Sequence, residues 1–237
     1  GIGTGTHGGN DQLAMGTDGF TEMIRYALDR GITYLDTADM YNTHVYLRVA
    51  LQEVPRDKYF IQTKTRATTP EVVRADVDRF IPVMRCKYID TLLIHCMTSG
   101  DWLTNMEPVM EELSKIKETG KVKAVGVSCH GMPPLEASLK TDWCDVQLVR
   151  INPFGSKMDG TPEEGAALIR QMKEKGRGVI GMKIFGEGTL ENADQRYESI
   201  KWVLTNQLAD SFTIGFTSKE QIAEVLDMME KVQKESA

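Results

Sequence analysis

Apolar and polar positions along this chain alternate between two periods, from one end to the other. Short apolar-rich runs of strand length fall near residues 1–4, 32–36, 58–63, 88–95, 122–127, 144–150, 178–183 and 211–215. Between them apolar residues recur at helical spacing, over 19–30, 44–53, 70–84, 106–119, 133–140, 162–175, 194–206 and 218–234. The last stretch is the clearest, with Ile222, Val225, Leu226, Met229 and Val232 at i, i+3, i+4, i+7 spacing. Punctuation agrees with the periods. Thr69-Pro70 and Thr161-Pro162 each read as an N-cap followed by proline at the first helical position, and Ser218 as a third cap. Gly31, Gly120 and Gly176 stand where a left-handed residue would close a helix. Eight β/α pairs in order predict an α/β fold, a closed (β/α)8 (TIM) barrel. No linker, low-complexity tract or charge block divides residues 1–237, which are expected to form one domain.

Composition narrows the class. Of 237 residues 41% are hydrophobic and 26% charged, ordinary for a globular chain with a sizeable core. The net charge of -6, without a basic stripe, argues against a nucleic-acid partner. No apolar run approaches the roughly 20 residues that cross a bilayer, so no membrane partner is expected. Cys86, Cys96, Cys129 and Cys144 are too few and scattered for a disulfide framework, which makes a reducing cytoplasm the expected compartment. The chain opens on Gly1 rather than Met, so that expectation leaves an export signal ahead of it open.

In a barrel of this kind the carboxyl ends of the strands share one mouth. Asp36, Lys64, His95, Ser128, Asn152 and Lys183 all end strand-like runs, and Tyr41, five residues after Asp36, leans over the same place. An acid, an ammonium, an imidazole and a phenol together form a proton-transfer set. Each has a plainer reading alone: Asp36 as a helix cap, Tyr41 as packing. Gly3, Gly5 and Gly8 formally spell Gly-x-Gly-x-x-Gly, but too few residues precede them for a Rossmann strand. A glycine-rich first loop beside the pocket fits better. His95-Cys96 and Cys129-His130 raise zinc, yet adjacent residues point to opposite strand faces and no Cys-x-x-Cys occurs; no metal is expected.

Four segments resemble the aldo-keto reductase family. They are Asp36-Thr37-Ala38-Asp39-Met40-Tyr41, Pro55-Arg56-Asp57 with Thr63-Lys64, Tyr88-Ile89-Asp90 with Leu93-Ile94-His95, and Gly120 to Ser128. Ile214-Gly215 and the helix after it are similar to that family's cofactor-closing end. The resemblance implies NADP(H)-dependent reduction of a small carbonyl compound, or oxidation of the alcohol, with NAD(H) as the alternative cofactor. It implies Tyr41 as general acid, Lys64 lowering the phenol's pKa, Asp36 holding Lys64, and His95 orienting the carbonyl. It places Gly3, Thr4, Ser128, Cys129, Met182, Lys183, Phe185, Ser218, Lys219 and Gln221 along the cofactor.

The sequence departs from that family at several of these positions. Cys129 stands where an asparagine is usual, Leu148 where a glutamine, Met182 where an aromatic, Gln221 where an arginine and Val225 where an asparagine. They leave the choice between NADPH and NADH open. No long segment follows the last helical stretch, so an open substrate site is expected, lined by His7, Tyr46, Trp102 and Phe154. Two rival readings remain: a metal-assisted barrel isomerase or hydrolase working through His95, Asp36 and His130, and a non-catalytic nucleotide-binding barrel.

Overall fold

All strand pairings in the computed structural model, which describes residues 1–236, are parallel. In chain order the strands are β1 (Ile2–Gly3), β2 (Tyr34–Asp36), β3 (Phe60–Thr65), β4 (Ile89–Met97), β5 (Val122–Cys129), β6 (Val146–Arg150), β7 (Gly178–Met182), β8 (Ser211–Phe212) and β9 (Ile214–Gly215). Neighbours follow in sequence from β1 to β8, and β9 returns to pair with β1. β8 and β9 are two halves of one crossing strand, parted only at Thr213. The amide of Thr213 donates to the Gly181 carbonyl at 2.9 Å and that of Ile214 to the Gly1 carbonyl at 3.1 Å, so the ring closes across the gap. The expected barrel is present.

Helices follow the strands and cover the outside. Their apolar faces pack on the outward faces of the strands in one large core that includes Phe20, Phe80, Leu113, Ile169 and Ile222. Inside the barrel a smaller cluster, Leu93, Leu148, Ile180 and Met182, packs with Tyr34 and Val146. Two residues further along the same faces come Asp36 from Tyr34 and His95 from Leu93. The plug is therefore the floor on which the polar groups stand.

The caps sit where the sequence put them. Thr161 Oγ1 accepts from the amide of Glu164 at 3.2 Å, and Glu164 Oε2 accepts in return from the amide of Thr161 at 2.8 Å. Thr69 and Ser218 cap the Pro70–Met84 and Lys219–Ser236 helices in the simpler way. Gly31, Gly120 and Gly176 take φ of 84°, 78° and 76° as helix closers. The helix at His44–Ala50 stops short of its expected end, because Leu51–Glu53 form a turn with Glu53 left-handed at φ 68°. Two short helices, Asn10–Ala14 and Trp102–Asn105, lie in strand-to-helix connections and were not expected. No helix among the described residues is long and apolar enough to cross a membrane.

Candidate active site

Asp36 ends β2 and Lys64 lies near the end of β3, and both side chains turn into the barrel. Lys64 Nζ donates to Asp36 Oδ1 at 2.6 Å and to the Thr37 carbonyl at 2.8 Å. Gln62, two residues back on the same face of β3, donates to the same Oδ1 at 2.9 Å. Lys64 is 2% exposed. Burial works to discharge its ammonium, but the charge of Asp36, with Tyr41 adding to it, wins and holds its pKa above the ordinary lysine value. This is a fixed, buried positive charge.

Tyr41 closes the short 310 turn Asp39–Tyr41 and lies over that charge, with Lys64 Nζ 5.1 Å from its ring centroid. The glycine-rich loop after β1 is its bed. A Cβ on Gly5 would stand 2.4 Å from Tyr41 Cε2, and one on Gly9 would stand 2.4 Å from the Tyr41 carbonyl oxygen. These glycines allow the ring to approach the loop backbone, which accounts for them without a Rossmann turn. Burial raises the phenol's pKa, Lys64 pulls it down and Asp36 pushes it up. The net displacement is upward. The expectation that Lys64 brings this phenol below its ordinary value is corrected: the ammonium limits an increase that burial causes.

His95 stands beside Tyr41, ring centroids 5.7 Å apart and planes near perpendicular at 88°. Burial, then the charges of Lys64, His130 and Arg66, depress its pKa to about 3, so it is neutral at pH 7. Its Nδ1 is enclosed without a hydrogen-bond partner, whereas Nε2 is not enclosed. Nε2 is therefore the ring nitrogen available to a ligand at the mouth. Beside these groups a cavity of about 350 Å³ opens between the first loop and the ends of β7 and β9. Its walls include Gly3, Asp36, Tyr41, Met182, Lys183 and Phe185.

The sequence profile described as the Aldo/keto reductase family matches residues 1–236. The chain belongs to that family. The aldo-keto reductase YhdN of Bacillus subtilis (strain 168) is 32% identical over 144 residues, covering 54% of this chain and 42% of that protein. The methylglyoxal reductase DkgB of Salmonella typhi is 27% identical over 143 residues, covering 55% of this chain and 51% of that protein. The matched segments thus span about half the length of these curated relatives. In fold the chain is similar to an aldo-keto reductase from Klebsiella pneumoniae solved in complex with NADPH. The TM-score is 0.75 at 17% identity, covering 97% of this chain and 84% of that one.

Within this aldo/keto reductase mouth some expected residues meet and others do not. His7 borders the cavity, held to Asp11 at 2.9 Å. Thr4 is fully buried and donates to the Asp36 carbonyl at 3.1 Å, so it supports β2 rather than facing the cavity. Ser128 is 1% exposed and its Oγ accepts from the amide of Cys96 at 2.8 Å, closing the irregular end of β4. Cys129 points the opposite way. Its fully buried thiol donates to the Pro134 carbonyl and accepts from Gln147 Nε2, each at 3.4 Å, with burial pushing its pKa up.

Trp102 is corrected too: it is 2% exposed and its indole donates to the Pro134 carbonyl at 3.0 Å, outside the cavity wall. Tyr46 packs edge-on against Phe20 at 5.5 Å in the helix layer. Phe154 is exposed on the connection after β6, where its amide donates to Asn152 Oδ1 at 3.1 Å. Asn152 itself is buried and binds the carbonyls of Ser156 and Lys183, so it ties two loops together. Ser218, Lys219 and Gln221 lie just past β9; Lys219 pairs with Glu22, and Gln221 Oε1 accepts from the Thr217 amide at 2.8 Å. Gln62 was not foreseen, although its position two residues before Lys64 on one strand face was the available signal. Among the described residues no three His, Cys, Asp or Glu side chains group as metal ligands, and Asp36 is already engaged by Lys64 and Gln62.

Proposed function

We propose that this protein reduces the carbonyl of a small aldehyde, ketone or sugar-like compound, or runs the reverse oxidation, with NADP(H) as cofactor and NAD(H) as the alternative. The observation that carries this reading is the buried Asp36–Lys64 pair lying under the Tyr41 ring with neutral His95 at its edge. Tyr41 keeps its proton at neutral pH, as an ordinary phenol with a pKa of about 10 does, and burial acts in the same direction. It can therefore act as an acid, and the phenolate left behind is stabilised by the Lys64 ammonium. Asp36 and Gln62 keep that ammonium charged and in place. His95 donates Nε2–H to the carbonyl oxygen, which fixes its orientation and supports the negative charge that develops there.

The cavity fits a nicotinamide dinucleotide. Met182, Ile184 and Phe185 offer apolar surface to a flat ring, and Lys183, paired with Glu187 at 2.7 Å, offers a cation to phosphate. Gly3, Met182, Lys183 and Phe185 would hold the near end of the cofactor, and Ser218, Lys219 and Gln221 its far end. Bound there, the reduced cofactor supplies the hydride. Relatives support the reading in their names, which include methylglyoxal reductases and an NADPH-dependent alpha-keto amide reductase of Saccharomyces cerevisiae. The test is to follow cofactor oxidation by purified protein over a panel of aldehydes, ketones and sugars. Tyr41→Phe should retain cofactor affinity and lose roughly 10²- to 10⁴-fold in turnover. Unchanged turnover removes Tyr41 from the mechanism, and no binding of either cofactor overturns the reading.

A further inference from the structure

Tyr41 is carried by the short turn Asp39–Tyr41, and the two ends of that turn are held by different means. Just past its far end Thr43, fully buried, shares hydrogen bonds with the hydroxyls of Thr37 at 2.9 Å and Thr4 at 2.8 Å. Its first residue, Asp39, is gripped from the helix layer by Arg79 of the Pro70–Met84 helix. Arg79 Nη1 donates to Asp39 Oδ1 at 2.8 Å and Nη2 to Asp39 Oδ2 at 2.9 Å, a two-pronged contact. The same Nη2 donates at 2.8 Å to Oδ1 of Asp76, one helical turn earlier. Asp76 Oδ2 in turn accepts from Thr65 Oγ1 at 2.6 Å, and Thr65 is the residue next to Lys64 on β3.

A single ion pair as exposed as this one contributes little to stability. What sets it apart is its form. A planar guanidinium bound through two donors fixes the direction of a carboxylate as well as its distance. Asp76 holds that guanidinium, which also lies 4.8 Å from the centroid of the Phe80 ring. The series Thr65, Asp76, Arg79 and Asp39 therefore runs from the neighbour of Lys64 to the start of the turn that ends in Tyr41. Lys64 and Tyr41 come from different segments, yet Nζ of one has to stand at 5.1 Å from the ring centroid of the other. This outer tie joins their two supports. We infer that Arg79 is a positioning residue, which through Asp39 sets the seat of Tyr41 over the Lys64 ammonium. Its effect on turnover rests on the carbonyl-reductase reading; the seating of the ring does not.

The experiment therefore reads the seat and the turnover separately. The ring resonances of Tyr41, assigned by their loss in Tyr41→Phe, report its surroundings without any reaction. In Arg79→Gln they should move, because the ring stands edge-on to His95 and changes its place relative to it. Turnover in the same variant should fall by about 10- to 10²-fold in kcat, the scale of a misplacement of about 1 Å, with the Kd for NADPH unchanged. Arg79→Lys keeps the charge and loses the fork, so it should move the same resonances and recover only part of kcat. Asp39→Arg combined with Arg79→Asp restores an oppositely charged pair beside Asp76 and should turn over faster than either single variant. Unchanged kcat in folded Arg79→Gln overturns the inference, even if the unfolding midpoint drops, since such a pair only stabilises. A fall in kcat with the Tyr41 resonances in place, or matched by weaker NADPH binding, overturns it as well. Should Arg79→Gln fail to fold, Arg79→Lys carries the same comparisons. Moved Tyr41 resonances in a protein that turns over no carbonyl compound would keep the positioning role and sink the carbonyl-reductase reading.

Discussion

At the scale of single residues, opposing electrostatic effects set what Tyr41 can do. Burial alone would make the phenol a very weak acid, and Lys64 is the one nearby charge that opposes this strongly. Lys64→Met should therefore raise the Tyr41 pKa further, visible in an ultraviolet titration of the phenol, and reduce turnover by at least about 10²-fold. Retained turnover would mean that the ammonium does not govern proton donation. Gly5 makes a separate claim on the same ring. With a Cβ only 2.4 Å from Tyr41 Cε2, Gly5→Ala must displace the ring or the loop. A stability loss of about 1–3 kcal/mol is expected from the overpacking, with a fall of roughly 10²-fold in kcat from the displaced donor. A variant that unfolds no sooner and turns over normally would show that the ring does not need its observed seat. Gly5 was legible as part of a glycine-rich loop beside the pocket; its contact with Tyr41 was not, because no local pattern says which distant ring fills the space a glycine leaves.

At the scale of elements, readings that rest on local rules survive and readings that need a side-chain direction across a loop do not. Thr161-Pro162 with Glu164 reads as a helix start, and the reciprocal bonds are there. Thr161→Ala should accordingly cost about 1 kcal/mol in a denaturant midpoint, and Thr161→Ser almost none; equal losses for both would rule out the hydroxyl as the cause. Period two along a strand was as dependable. It puts Ser128 and Cys129 on opposite faces, and Leu148 in the plug while Gln147 turns outward to Cys129. Trp102 and Tyr46 turn away from the mouth for the opposite reason. One sits in a short helix and the other on a helix face, and the orientation of each depends on a partner distant in sequence, Pro134 and Phe20 in turn. Proximity in sequence to a catalytic strand end carries no information about such partners.

At the scale of the whole molecule, the barrel brings together residues from successive strand ends and in doing so buries titratable groups that water would otherwise solvate. The strand order was readable because eight repeats of one supersecondary unit have one common closure, whereas the break at Thr213 has no signature in an otherwise strand-like run. Enclosure has a consequence for stability against acid. His44, under the Phe80 ring at 4.9 Å and 2.8 Å from Thr63 Oγ1 through Nε2, has its pKa depressed from 6.5 to about 4, first by burial. His95 is depressed to about 3 for the same leading reason. The folded state therefore takes up fewer protons than the unfolded state once the pH drops below 6.5. Stability contributed by neutral burial is complete above that pH and is lost as the pH falls toward the folded pKa values. Each histidine adds a slope of about 1.4 kcal/mol per pH unit across the window. Asp159, whose pKa burial raises, works in the opposite sense and moderates the total at the acidic end. Denaturant unfolding across this range should thus show midpoints falling with pH well before the bulk of the carboxylates titrate. His44→Gln, which keeps an N–H near Thr63 but cannot titrate there, should flatten the slope by about one proton's worth, ~1.4 kcal/mol per unit. An unaltered slope in that variant would show that His44 accepts its proton inside the folded barrel at no cost, and that the enclosure around Phe80 is open to water.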